Sequence, residues 1–166
     1  MTPRMGFARL APLALAALPG AAVSQVSGDH PPRAGQYRTA LDLVLFEVPG
    51  VSEDQLAPAR AEFLEELASG NDFCLAPDAA SDAMRRKMLE NLAEGDCSFG
   101  RFQSTGATVS ATLSCTREAT DRGRVTIDGR IWVENADLNM NLEQDFAGLG
   151  PTRIVVRARS ARVGDC

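Results

Sequence analysis

The chain has 166 residues, a length that corresponds to about one domain with a hydrophobic core of its own. Its 22 acidic and 17 basic side chains give a net charge of −5 at pH 7. Because nucleic acids and anionic lipid headgroups bind proteins through lysine and arginine, this balance argues against both as partners.

The first 24 residues have the features of a secretory signal peptide. A short basic region contains Arg4 and Arg9, an apolar run follows over residues 10–23, and small residues precede Gln25. The apolar run is shorter than the roughly 20 residues that a membrane span needs. We therefore predict cleavage near Ser24, a periplasmic or secreted protein, and no membrane span in the mature chain.

Residues 25–34, "QVSGDHPPRA", are polar and contain two prolines. Such a composition is typical of a disordered segment, so we interpret it as a lead-in to a single domain over residues 35–166. His30, the only histidine of the chain, lies in this lead-in and is interpreted as a solvated linker residue.

The domain begins with a pattern typical of one long strand over residues 35–48, ended by Pro49 and Gly50. The side chains that this strand places on one face are Tyr37, Thr39, Leu41, Leu43 and Leu45.

Helical spacing follows over residues 52–67, where Ser52 and Gln55 fit a capping box and Pro58 suggests that the regular helix begins nearer Ala57. The predicted buried stripe of this helix is Leu56, Phe63, Leu64 and Leu67.

A second helix is predicted over residues 78–92, with Arg85, Arg86 and Lys87 turned largely outward. Its predicted buried stripe is Met84, Met88, Leu89 and Leu92.

Four cysteines in an exported chain indicate two disulfides, for which three pairings exist. The stretch 97–115 has the pattern of a hairpin, and a turn centred on Gly106 places Cys97 directly opposite Cys115. Cys74 is then left for Cys166. A metal site is the competing interpretation, but no C-x-x-C spacing occurs and no histidine lies among the cysteines.

The rest of the chain alternates as strands. We predict a turn at "ENAD" and a register that places Asp128 near Glu143, followed by a pairing of Leu142 with Val156 and of Met140 with Ala158. The predicted fold is α+β: a curved antiparallel meander of about six strands, or a partly open barrel, packed against two helices inserted after the first strand.

No catalytic, cofactor or metal site is predicted. The folded region has no histidine to activate a nucleophile and only one lysine, Lys87, and it has no phosphate loop or dinucleotide fingerprint. Asp128 and Glu143 are a candidate acid–base pair on a solvated face. Met84 and Met88 have a spacing that copper(I) could use, but core packing explains both.

Four arginines are predicted to form an outward stripe on neighbouring strands. A solvated face is the first interpretation of this stripe, and an anion-binding or partner-binding surface is the alternative. The four residues are Arg130, Arg153, Arg157 and Arg159.

Several segments, in this order, resemble the proteobacterial exported family called domain of unknown function 3617. They are "AGQYRTALDLVLFEVPG", "FCLAPDAA", "GDCSFGRFQSTGATVSATLSC" and "SARVGDC". The resemblance covers nearly all of the mature chain and implies a periplasmic or secreted protein whose activity is not established.

Three functions are consistent with these features. The first is a non-enzymatic, disulfide-stapled binding module that takes a small hydrophobic ligand, because a curved sheet packed against helices can enclose an apolar cavity. The second is a protein-interaction or structural factor of the cell envelope that uses a sheet edge or the arginine stripe. The third is a hydrolase that depends on Asp128 and Glu143.

Overall fold

A computed structural model of the protein describes residues 30–78, 80–93, 96–116, 122–146 and 150–166. The predicted signal peptide lies outside these residues. Within them, no helix is long and apolar enough to cross a membrane. The elements in chain order are β1 (Gly35–Glu47), α1 (Glu53–Ala68), β2 (Asn71–Leu75), α2 (Ser81–Ala93), β3 (Asp96–Thr105), β4 (Thr108–Thr116), β5 (Arg122–Ile131), β6 (Asn135–Phe146) and β7 (Gly150–Gly164).

The strands form one antiparallel sheet in the order β2-β1-β7-β6-β5-β4-β3, curved into a half-barrel. The predicted α+β fold is thus confirmed, but the sheet has seven strands rather than about six. The additional strand is β2, between the helices, which alternates in burial and pairs with β1. Its Phe73 ring stacks on Tyr37 at a centroid distance of 5.5 Å.

The last strand, β7, lies between β1 and β6 and so joins the two ends of the chain inside the sheet. Gln36 faces Gly164 at one end of the β1–β7 ladder and Glu47 faces Arg153 at the other. On the inner face, which packs against the helices, the buried hydroxyls of Thr39 and Ser160 form a hydrogen bond of 2.7 Å.

The predicted inner face of β1 is correct from Tyr37 to Leu43. A β-bulge then lies between Leu43 and Leu45, and the residues that become buried beyond it are Phe46 and Val48. The alternation of the sequence does not reveal this bulge, because Val44, Leu45 and Phe46 are all apolar.

The β3–β4 hairpin has the predicted pairing at its open end, where Cys97 faces Cys115. The turn, however, uses both Gly106 and Ala107 instead of centring on Gly106. A bulge between Phe99 and Arg101 adds one residue to β3 and restores the predicted register.

The predicted registers of β5, β6 and β7 are wrong. The turn between β5 and β6 occupies residues 132–134 rather than "ENAD", so Asp128 faces Asn139. Likewise, Leu142 faces Ile154 instead of Val156, and Met140 faces Val156 instead of Ala158. Both displacements are even numbers of residues, so the inward and outward faces were nevertheless predicted correctly.

Two apolar clusters fill the space between the sheet and the helices. The stripe of α2, with Met84, Met88, Leu89 and Leu92, is buried as predicted against Phe73, Leu75 and the inner face of β4, β5 and β6. The second cluster joins α1 to the β1–β7 end of the sheet through Leu56, Leu67, Phe46, Val48, Ile154 and Val156.

Helix α1 differs from prediction at its start and in its stripe. It begins at Glu53 and contains Pro58, at the cost of one backbone hydrogen bond, while the N–H of Ser52 donates to Oε1 of Gln55 over 3.1 Å. Leu64, predicted to be buried, is 45 % exposed.

Arg85 was predicted to point outward, but it is buried at 4 % exposure. Its Nη2 donates to the carbonyl of His30 over 3.3 Å and its Nη1 to Asp82 over 3.4 Å. The neighbouring Arg86 is exposed as predicted, with its guanidinium 4.7 Å from the ring centre of Phe102.

Residues 30–34, the described part of the predicted disordered lead-in, pack onto the domain. Pro32 is fully buried, and the N–H of Arg33 donates to the carbonyl of Val133 over 2.7 Å. The Tyr37 hydroxyl donates to the carbonyl of Arg33 over 2.8 Å, and Nε of Arg162 donates to that of Ala34 over 2.9 Å. The ordered domain therefore begins before Gly35.

The two predicted disulfides are both present, and the described residues contain no free cysteine. Cys97–Cys115 bridges neighbouring strands at a Cα distance of 4.0 Å across 18 residues of sequence. Cys74–Cys166 spans 92 residues at a Cα distance of 5.7 Å and ties the end of the chain to β2.

We predict that the long-range bridge stabilises the protein more than the hairpin bridge. In the loop-entropy model the longer ring contributes about 4.6 kcal/mol and the shorter about 3 kcal/mol. Urea unfolding of Cys74→Ala/Cys166→Ala and of Cys97→Ala/Cys115→Ala measures both losses. Equal losses, or the reverse order, would contradict this prediction.

A second prediction concerns Tyr37 and the pH dependence of the free energy of unfolding. Burial raises the pKa of its phenol, so its contribution to stability is complete below about pH 10 and is lost as the pH rises through the folded-state pKa. Tyr37→Phe removes hydrogen bonds to two carbonyls and should lower stability at neutral pH by about 1–2 kcal/mol. In urea titrations at increasing pH, the stabilities of the two proteins should converge above about pH 10, whereas a constant difference would refute this account.

Candidate functional site

A cleft of about 240 Å³ lies between the helices and the inner face of the sheet. Its floor is apolar and comes from five strand residues, and its walls are the last turns of α1 and α2. The floor residues are Leu41, Val125, Met140, Leu142 and Val156. The wall residues include Phe63, Leu67, Leu92 and Ala93.

The cleft exists because the two helices cover different parts of the sheet. Helix α1 packs over β1 and β7, whereas α2 packs against β2 on one side of these two strands and against β4, β5 and β6 on the other. Leu41 and Leu142 contact both clusters from below. They therefore form the floor of a gap between the two helices, each of which packs only within its own cluster.

Polar residues line the mouth of the cleft. Glu66 and Ser69 come from the end of α1 and its cap, and Arg124, Glu143 and Gln144 come from β5 and β6. The Ser69 hydroxyl donates to the carbonyl of Glu66 over 2.7 Å. The site is therefore an apolar pocket that opens to solvent through a polar rim.

The size of the cleft limits what it can hold. A dry cavity of about 150 Å³ is enough for benzene, and pockets for drug-sized ligands begin at about 300 Å³. At about 240 Å³, this cleft has room for a single ring with substituents or for a short aliphatic chain. The described residues that line it include no histidine, no lysine and no unpaired cysteine.

The structure does not bring the candidate carboxylates together. Asp128 faces Asn139 on the outer face of the sheet, and Glu143 faces Arg124 four residues further along β6, at the mouth of the cleft. The predicted proximity of Asp128 and Glu143 depended on the incorrect register.

Met84 and Met88 lie in the core, at 4 % and 0 % exposure. Sδ of Met84 accepts the N–H of Asp78 over 3.0 Å, and both side chains pack in the larger cluster. Within the described ranges, no group of three or more histidine, cysteine, aspartate or glutamate side chains is placed to hold a metal ion.

Three arginines of the predicted stripe have partners within the sheet. Arg157 forms a two-pronged contact with the Asp137 carboxylate at 2.8 and 2.6 Å, which lowers the pKa of Asp137. Arg159 contacts Asp42 at 2.6 Å, and Arg153 donates to the side chain of Asn141 over 3.3 Å. The stripe is thus largely a set of internal pairs on a solvated face.

An apolar cavity between the sheet and the helices was proposed from the predicted fold, but the residues that line the cleft were not predicted. Leu41, Met140 and Leu142 were correctly assigned to the inner face, but nothing in their spacing distinguishes a floor residue from a core residue. The gap depends on the distance between the two helices, which the sequence pattern does not give. Gln144 could not be predicted as a cleft residue because it does not belong to a sequence motif. The cysteines, by contrast, were placed correctly, and Cys115 also lines the cleft.

Comparison with known proteins gives a family but no activity. No curated protein and no solved structure matches the chain. A family model described as a protein of unknown function (DUF3617) matches residues 32–166, which include both helices, all seven strands and both disulfides. The match begins at Pro32, which is buried in the domain. The chain therefore belongs to the DUF3617 family.

Proposed function

We propose that this protein is an exported, non-enzymatic binding module that holds a small hydrophobic ligand in the cleft between its helices and its sheet. The observation that carries the proposal is the apolar cleft of about 240 Å³ with its polar mouth. A closely packed domain of this size would otherwise fill such a space with side chains.

The packing around the cleft is consistent with ligand exchange. The two clusters hold α1 and α2 separately on the sheet, so the gap between them is fixed by well-buried residues on both sides. Because the cleft is open at its mouth, a ligand can enter without unfolding of either cluster. Burial of its apolar surface would stabilise the complex by about 25 cal/mol per Å².

Export is supported by the disulfides and by the predicted signal peptide. Disulfides form and persist outside the reducing cytosol, and both bridges of this domain join residues that the fold places next to each other. The basic and apolar regions before Gln25 are features of a secretory signal peptide, which would direct the chain out of the cytosol.

The alternative functions have less support. An interaction surface formed by the arginine stripe would have to compete with the partners that Arg153, Arg157 and Arg159 already have. A carboxylate-dependent hydrolase would need two acids within reach of one substrate, and Asp128 and Glu143 are not opposite each other.

Expression of the whole chain in a bacterium with a periplasm tests export. We expect the periplasmic fraction to contain a protein that begins at or near Gln25 and whose intact mass shows both disulfides. Retention of residues 1–24 with a cytoplasmic location would contradict the proposal.

Ligand binding is tested with toluene and with a variant that fills the cleft. At about ten times its dissociation constant, toluene should raise the unfolding free energy by about 1.4 kcal/mol. Leu142→Trp puts a large ring over the floor and should abolish this effect, because it occupies the same space. Native mass spectrometry of protein purified without denaturant should also show a bound small molecule.

The matched control is Val44→Trp, which adds the same ring at a position that is 62 % exposed. This variant should respond to toluene as the unaltered protein does. If toluene does not stabilise the unaltered protein and its native mass is that of the bare chain, the proposed function is wrong.

A further inference from the structure

The position of Gln144 in the cleft indicates which polar group a ligand would carry. It lies on β6 two residues after Leu142 and four after Met140, so it points to the same inner face as these floor residues. It is half-buried and lies at the end of the floor nearest the mouth.

The neighbouring strand leaves space for the Gln144 amide. Gly123 on β5 is the direct partner of Gln144, and a Cβ at Gly123 would lie 3.4 Å from Oε1 of Gln144. Any larger side chain at position 123 would therefore press on the amide. On the other side, Thr152 of β7 faces Gln144 and is itself buried.

The amide of Gln144 forms no hydrogen bond with the part of the chain that the structure describes. Its polar neighbours differ in this respect. The Ser69 hydroxyl donates to the carbonyl of Glu66 over 2.7 Å, and that of Thr152 donates to the carbonyl of Gly150 over 3.1 Å. Gln144 therefore keeps both a donor and an acceptor for a molecule in the cleft.

The charges at the mouth bear on the kind of polar group that fits there. Glu143 faces Arg124 on β5 and Arg153 on β7, so these charges lie in opposite-sign pairs across the strands. An anionic group on the ligand would lose water at the edge of a low-dielectric pocket, where the neutral amide of Gln144 would replace only part of its hydration. A neutral group avoids this cost and still satisfies an amide.

We propose that the ligand of the cleft carries one neutral hydrogen-bonding group, a hydroxyl or an amide, and that the side-chain amide of Gln144 binds this group at the mouth. The inference rests on the proposed function, because it assumes that the cleft holds a ligand. It adds how the ligand is placed: the apolar part lies on the floor, and the single polar group binds Gln144.

Three probes of similar size separate these contributions: toluene, p-cresol and p-toluate. The unaltered protein should bind p-cresol at least as tightly as toluene, because the amide replaces the water that the phenol loses. It should bind p-toluate more weakly than p-cresol. Dissociation constants come from calorimetry or from the stabilisation that each probe gives.

The variant Gln144→Met keeps the length of the side chain but removes its hydrogen-bonding groups. It should weaken p-cresol binding about five- to tenfold, the effect of one hydrogen bond, and change toluene binding less than twofold. Gln103→Met is the matched control, because Gln103 is exposed on β3 outside the cleft. It should leave the binding of all three probes unchanged.

The outcomes distinguish this inference from the proposed function. The proposed role of Gln144 is wrong if the unaltered protein binds toluene but binds p-cresol many-fold more weakly. It is also wrong if Gln144→Met weakens the binding of toluene and of p-cresol equally. In either case the cleft remains a hydrophobic site. Tighter binding of p-toluate than of p-cresol also refutes the inference. If none of the probes binds, the proposed function fails as well. The comparison of the three probes on the unaltered protein decides the question even if Gln144→Met does not fold.

Discussion

The pairing of the first strand with the last is the interaction on which the rest of this fold depends. Because β7 lies between β1 and β6, it joins β1 and β2 to the meander of β3–β6 in a single sheet. The buried Thr39–Ser160 hydrogen bond and the Cys74–Cys166 bridge strengthen the same junction from the inner face and from the chain end. Without this pairing, α1 would lose the β7 residues Ile154 and Val156 against which it packs, and one wall of the cleft would have no fixed position.

The cleft is a consequence of dividing one curved sheet between two helices. Each helix buries only one stripe of residues, so each covers only the strands against which that stripe packs. The sheet between them remains apolar because the alternation of β1, β5, β6 and β7 continues across the gap. The cleft therefore arises from the geometry of the core, without any residue whose chemistry marks it in the sequence. Family membership adds no activity, so the proposal of ligand binding depends on this geometry.

The sequence allowed prediction of those features that depend on residue type and on alternation. Cysteine count and hairpin pattern gave the correct disulfides, and period-two patterns gave the correct inner faces of β5 and β6. Registers failed because they depend on where turns and bulges fall. Neither the turn at residues 132–134 nor the bulge near Val44 contains a distinctive motif. Arg85 was misassigned because a basic residue is usually exposed, whereas here the backbone of His30 caps its guanidinium. The cleft and Gln144 depend on the distance between helices, which is a tertiary property.

The central place of β7 also affects how the molecule assembles during synthesis. As the polypeptide grows from its amino terminus, β1 can pair with β2 early, but its other edge has no partner until the fifteen residues of β7 have been made. Contacts between residues that are far apart in the sequence make folding slow, because closing the long loop costs entropy before the contact contributes any stability. The sheet therefore cannot be completed until nearly the whole chain has been made, and the two parts of the domain that β7 joins depend on the last segment to be synthesised.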